Sequence, residues 1–113
     1  VKNNKLESKG SSITEGIGTG RITKNFEKAI IDDAFQTDDT EALKIVYDLI
    51  EKQNIVLGGS SGINIAGAIK LARKLGKGKN IITILCDDGR RYASKIFNKK
   101  FLMSKNLPVP KWL

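Results

Sequence analysis

A chain of 113 residues has room for one small domain with a modest core, and its net charge of +8 comes from 20 basic against 12 acidic side chains. With no histidine, it cannot by itself build a Ser-His-Asp relay, a Cys-His pair or a histidine metal site. Its single cysteine rules out an internal disulfide and fits a reducing, cytoplasmic setting, and no stretch approaches the roughly 20 apolar residues of a membrane span.

The polar opening, Val1 to Gly10, lacks the apolar core of a signal peptide. A start at Val1 rather than methionine leads to the expectation of a fragment. Residues 1–28 carry glycine and serine clusters without sustained periodicity, so they read as a loop-rich lead-in. Residues 29–113 read as strand–helix units and a tail. Ala29-Ile30-Ile31 is a short candidate strand closed by Asp32-Asp33. Thr37 to Glu41 has the capping residues and first-turn carboxylates of a helix start. From Glu41 to Gln53, Ala42, Leu43, Val46, Tyr47, Leu49 and Ile50 recur at helical spacing and form one apolar face.

Ile55-Val56-Leu57 is short and branched, as a strand buried on both faces would be. Gly58-Gly59-Ser60-Ser61-Gly62 then predicts a sharp turn, with a second helix from about Ile63 to Leu75 that exposes Lys70, Arg73 and Lys74 and ends at Gly76. Asn80 to Leu85 is another buried-strand candidate, closed by Cys86-Asp87-Asp88-Gly89. Arg90 to Phe97 predicts a third helix with Tyr92, Ile96 and Phe97 turned inward. The tail holds Trp112 and two prolines that resist regular helix, so it is expected to lie over a surface. Strands alternating with helices at this spacing imply a parallel sheet with crossover helices.

The basic residues are scattered, and aromatics, at 6%, do not alternate with them as a single-strand stacking platform requires. They read as solvated helix faces, with no nucleic-acid or membrane partner expected. Gly16-Ile17-Gly18-Thr19-Gly20-Arg21 fails as a dinucleotide fingerprint, because Arg21 stands where the third glycine belongs. Gly76-Lys77-Gly78-Lys79 has the wrong spacing for a phosphate loop, and no Ser or Thr follows Lys79. Gly58 to Gly62 is better placed, at the carboxyl end of an expected strand, where ligands of parallel sheets gather. Paired glycines there would let a flat ligand approach the backbone. Ser61 reads as the helix cap, while for Ser60 ligand contact and turn chemistry are both open. Cys86, read by itself, is a small packing side chain.

Taken together, four stretches carry a resemblance: Glu15-Gly16-Ile17-Gly18, Leu57 to Gly62, Gly76 to Leu85, and Arg91 to Phe97. In this order and spacing the chain resembles the pyridoxal-phosphate-dependent cysteine synthase and cystathionine β-synthase family, with the tryptophan synthase β-like fold type II. The closing Leu107-Pro108-Val109-Pro110-Lys111-Trp112-Leu113 favours its bacterial cysteine synthase branch. The resemblance covers residues 1–113 as the C-terminal part of the larger cofactor domain. It implies an α/β fold, a partial three-layer parallel sheet with crossover helices.

It also implies pyridoxal 5'-phosphate as cofactor, with Ser60 matching the serine that hydrogen-bonds the pyridine nitrogen. Gly16, Ile17 and Gly18 match the loop lining the active site, and Cys86 and Asp87 fall where the family chain passes the cofactor ring. The Schiff-base lysine and the phosphate loop of the family have no counterpart in these residues, so the chain alone is expected to be inactive. The implied partners are an amino-acid substrate, the N-terminal remainder of the enzyme and, when complete, a second copy in a homodimer. The implied reaction replaces the β-substituent of an activated serine, such as O-acetylserine, with sulfide to give cysteine. A cystathionine β-synthase or serine dehydratase-like parent, or a non-catalytic binding module, are the alternatives.

Overall fold

The structure is a computed structural model that describes residues 11–18 and 20–113. Residues 1–10, the first part of the expected lead-in, and Thr19 lie outside the described residues. The described part is helical. A single turn, α1 (Lys24–Glu27), starts where the Thr23 hydroxyl accepts from the Phe26 amide. Two long helices follow, α2 (Asp39–Gln53) and α3 (Gly59–Leu75). A 3-10 turn, Gly89–Tyr92, leads into α4 (Ala93–Ile96), and α5 (Lys99–Ser104) precedes the tail.

The start of α2 is written in its local sequence. Asp38 Oδ1 accepts from the Glu41 amide at 2.8 Å, and Glu41 Oε2 accepts from the Asp38 amide at 3.1 Å, a reciprocal capping box. Such a cap contributes about 0.5–2 kcal/mol. The helix stops at Asn54, whose left-handed φ of 58° lets its amide reach back to the Ile50 and Leu49 carbonyls.

The apolar face of α2 then organises the molecule. Gly62 of α3 packs against Ala42 and Val46 so closely that a Cβ there would stand 2.6 Å from the Ala42 carbonyl oxygen. The main core joins Leu43, Val46 and Tyr47 of α2 to Ile96 of α4 and Leu102 of α5. The tail covers it: Leu107, Val109 and Leu113 pack against this cluster, and Trp112 meets Tyr47 edge-on with ring centroids 5.8 Å apart. The helix α5 is an addition to the sequence reading, capped by Asn98, whose Oδ1 accepts from the Phe101 amide at 3.1 Å. The helix expected over residues 90–97 is split into the 3-10 turn and α4, with Ile96 buried as expected.

Tyr47 fastens this half of the core. Its hydroxyl donates to the Ile96 carbonyl at 2.7 Å, and burial pushes its pKa up to about 12. Stability tied to the protonated phenol is fully present below pH 10 and lost as pH climbs through about 12. Denaturant midpoints measured at pH 9 and pH 12 are expected to fall more steeply for the parent chain than for Tyr47→Phe, which lacks the titrating group.

The expected parallel sheet is not formed among the described residues. No β-strand is present there; the only ladder pairing is an isolated antiparallel bridge between Leu57 and Asp88. It is flanked by bonds from the Gly58 amide to the Asp87 carbonyl at 3.0 Å and from the Gly89 amide to the Val56 carbonyl at 3.3 Å. The physical reason is that a strand exists through its neighbours: residues 55–57 have only this short bridge, and residues 29–31 and 80–85 have no ladder partner among the described residues. The apolar side chains of those segments are correspondingly bare: Ile30 is 94% exposed and Ile82 93%.

Side chains of α3 hold the 84–86 segment in place of a ladder. The Ser61 hydroxyl accepts from the Cys86 amide at 2.9 Å, and Asn64 Nδ2 donates to the Ile84 carbonyl at 2.9 Å. On the far side of α3, Lys70 donates to the Gln36 carbonyl and pairs with Glu41, while Lys74 pairs with Asp33. Two of the three lysine and arginine side chains expected on a solvated face are thus also tethers for residues 33–41.

Candidate functional site

The site singled out by the sequence gathers around the first turn of α3. Gly58 is the N-cap, so the glycine–serine run is not a free turn; it forms the beginning of the helix itself. Ser61, expected as the cap, therefore sits inside the first turn, fully buried, with its hydroxyl committed to Cys86. The cap position is filled by a residue with no side chain, and three amides precede the first intrahelical bond, from Gly62 to the Gly58 carbonyl at 3.2 Å.

Ser60 is half-buried, and its hydroxyl has no hydrogen-bond partner among the described residues. It stands at the positive end of a 17-residue helix. The paired glycines have a different purpose from the ligand approach expected of them. A Cβ on Gly58 would meet Asp87 Oδ1 at 2.5 Å and the Tyr92 ring at 3.0 Å, and one on Gly59 would meet Thr14 Oγ1 at 2.7 Å. The close approach they permit is of protein to protein.

The structure brings Cys86 and Asp87 to this helix start. Cys86, expected as a packed side chain, is exposed, because its segment has no paired neighbour; Asn64 Nδ2 lies 3.5 Å from its sulfur. The Asp87 carboxylate faces inward. Its Oδ2 accepts from the Tyr92 hydroxyl and lies 3.7 Å from the Arg91 guanidinium, while Oδ1 is buried without a hydrogen-bond partner among the described residues. The hydrogen bond to Asp87 raises the Tyr92 pKa. Next along the chain, the hydrogen bond from Arg90 holds the Asp88 carboxyl down at about 2.

Gly16, Ile17 and Gly18 are exposed, with open space around both glycines, whose φ values of 75° and 71° suit a turn. Their connection to the site runs through the preceding residues: Thr14 packs against Gly59, and Glu15 pairs with Lys95 at 3.0 Å. A hollow of about 10 Å³ between Thr14, Gly59 and Tyr92 has the size of a water site, not of a ligand site. A larger hollow, about 380 Å³, lies away from this helix start, among Ser12, Asp39, Lys95 and Lys105.

Tyr92 and Thr14 are the site residues that sequence reasoning missed. The sequence reading turns Tyr92 toward the core and includes it in the Arg91–Phe97 stretch, but gives it no place at the site. Its five-residue separation from Asp87 becomes a contact because the 3-10 turn folds it back.

Residues 2–87 match the family model described as pyridoxal-phosphate dependent enzyme. The chain belongs to that family. It is similar to a cysteine synthase 1 of Neurospora crassa, 42% identical over 104 residues, covering 90% of this chain and 28% of that protein. A cysteine synthase of Dictyostelium discoideum is 44% identical over 98 residues, covering 87% of this chain and 26% of its own length. A mouse cystathionine beta-synthase is 35% identical over 91 residues, covering 80% of this chain and 16% of that protein. The chain thus spans between a quarter and a third of the length of the first two relatives. Neither the matched range nor the identity is confined to the glycine–serine run, so the resemblance read from four motifs extends through the chain as a whole.

The residues present suit one end of a pyridoxal phosphate. The Ser60 hydroxyl, without a hydrogen-bond partner among the described residues, can donate to an acceptor such as an aromatic ring nitrogen.

Proposed function

We propose that this chain is the C-terminal part of a cysteine synthase-like enzyme and supplies the contact to the cofactor's ring nitrogen through Ser60. The observation that carries this reading is the 42–44% identity to two cysteine synthases over nearly nine-tenths of the chain. In the complete protein, bound pyridoxal phosphate would draw electrons from the substrate's α-carbon, so that acetate leaves the β-carbon of O-acetylserine and sulfide takes its place.

The contribution of this chain is electrostatic and positional. Ser60 offers a neutral hydroxyl where a carboxylate would hold the ring nitrogen protonated. The positive end of α3 acts in the same direction, disfavouring positive charge at that nitrogen. An unprotonated ring is the weaker electron sink, which suits β-replacement more than transamination. The lysine that moves the α-proton, and the groups that hold the phosphate and the substrate carboxylate, are assigned to the part of the enzyme outside this chain.

The same reading accounts for the bare strand segments. Ile30, Ile82 and Ile84, at 94%, 93% and 71% exposed, fit positions in a parallel sheet whose other strands come from that remainder. A cytoplasmic location and a homodimer are part of the proposal; the free thiol of Cys86 suits the first.

The test is to assay the longer protein that carries this chain, with pyridoxal phosphate, for cysteine and acetate from O-acetylserine and sulfide. Equimolar cysteine and acetate are expected. Cofactor binding without cysteine formation would refute the reading. Cystathionine formed faster from serine and homocysteine would replace it with the second reading, which the match to the mouse cystathionine beta-synthase favours.

A further inference from the structure

We propose that Asp87 and Tyr92 form a positioning pair that aims the Ser60 hydroxyl, an inference that rests on the reading of Ser60 as the ring-nitrogen contact. Asp87 grips the N-cap of α3 in two ways. Its carbonyl accepts from the Gly58 amide at 3.0 Å, and its Oδ1 lies where a Gly58 Cβ would be, 2.5 Å from that point. The Tyr92 ring closes the same space at 3.0 Å, and its hydroxyl donates to Asp87 Oδ2. Gly58 is two residues before Ser60, so the carboxylate sets the direction in which the first turn of α3 leaves the loop.

One residue after Ser60, the Ser61 hydroxyl accepts from the Cys86 amide at 2.9 Å. Ser60 is thereby held between two fasteners while its own hydroxyl stays unengaged among the described residues.

This is not the arrangement that fold stability alone would favour. A buried carboxylate oxygen without a partner costs free energy, and Asp87 Oδ1 is such an atom. Such groups are rare in folded proteins, and a geometry that a function requires is one reason they persist. The hydrogen bond to Asp87 also raises the Tyr92 pKa, as expected of a phenol that donates to a carboxylate. The carboxylate has Tyr92 and Arg91 as its polar neighbours, so the pair is a local unit.

The test uses the longer protein that carries this chain, with Tyr92→Phe, which keeps the ring against Gly58 and removes only the donor. In the cofactor-free protein, amide exchange over residues 58–62 is expected to rise by roughly tenfold, the effect of about one lost hydrogen bond. Amides of α2 are expected to keep their rates. With pyridoxal phosphate bound, the absorbance maximum is expected to move in the same direction as in Ser60→Ala, with no further movement in the double variant. Asp87→Asn retains an acceptor for Tyr92 and is expected to fall between Tyr92→Phe and the parent.

A parent-like spectrum in Tyr92→Phe, or shifts that simply add in the double variant, would overturn the proposal. If Tyr92→Phe does not fold, the same comparison with Asp87→Asn decides. If Ser60→Ala leaves the spectrum of a pyridoxal-phosphate-loaded protein unchanged, the reading of Ser60 fails, and the positioning role fails with it.

Discussion

Urea denaturation of the Gly62→Ala chain is expected to show a clearly lower midpoint than the parent, a loss of about 1–3 kcal/mol before any local gain. Two effects of opposite sign meet here. Alanine in a helix interior is favoured over glycine by about 1 kcal/mol, which alone would stabilise α3. The Cβ, however, would stand 2.6 Å from the Ala42 carbonyl oxygen, 2.9 Å from Val46 Cγ2 and 3.1 Å from the Ala42 carbonyl carbon. A flexible side-chain end could swing away, but two of these three atoms are backbone of α2, held by its own helix. The overpacking therefore wins, and Gly62→Val is expected to be worse, with a larger side chain and a lower helix propensity. The largest fully buried side chains among the described residues are only Leu43, Leu102, Val46 and Ser61. A loss of this size is a large part of the stability such a core provides. A midpoint equal to or above the parent's would show that α2 and α3 can separate at little cost.

The second large effect concerns Ser60 in the longer protein that carries this chain. Ser60→Ala removes one hydrogen bond to the proposed cofactor position and is expected to weaken pyridoxal phosphate binding by roughly three- to tenfold. Ser60→Asp is expected to act more strongly, with cysteine formation reduced by more than about tenfold. A carboxylate there would hold the ring nitrogen protonated and change its electron demand. Folding and chemistry separate cleanly in this variant. Aspartate in the first turn of a helix is favoured by the positive end of α3, so the melting temperature is expected to hold while turnover falls. Equal rates for Ser60→Ala, Ser60→Asp and the parent would place the ring nitrogen elsewhere.

The parts of this structure that were legible in the sequence are those whose causes are local. The start of α2 follows from Asp38 and Glu41, three residues apart, and its buried face from the spacing of Ala42, Leu43, Val46 and Tyr47. The start of α3 was not legible. Gly58 to Gly62 has poor helix propensity, and what makes it helical is tertiary: the Cys86 amide on Ser61 and the fit of Gly62 against Ala42. The apolar stretches at 55–57 and 81–85 were legible as segments, yet pairing depends on partners that no local pattern contains.

The site divides in the same way. Ser60 was singled out through its motif, since an exposed-looking serine in a glycine run has no local mark of function. Asp87 was named for its place in the chain, but its inward carboxylate and its contact with Tyr92 depend on a 3-10 turn that the sequence did not announce. Gly16, Ile17 and Gly18 were named through the motif as well, and in this structure it is Ile13, Thr14 and Glu15 before them that reach the helix start or its surroundings.

The central claim, that this chain offers the ring contact while the cofactor's lysine lies elsewhere, is tested most directly by adding pyridoxal phosphate to the purified chain, reducing with borohydride and mapping the modified lysines. The account predicts low, scattered labelling with no stoichiometric adduct, unchanged by Ser60→Ala. A stoichiometric adduct on one lysine, lost in Ser60→Ala, would show that these residues hold the cofactor on their own and would contradict it.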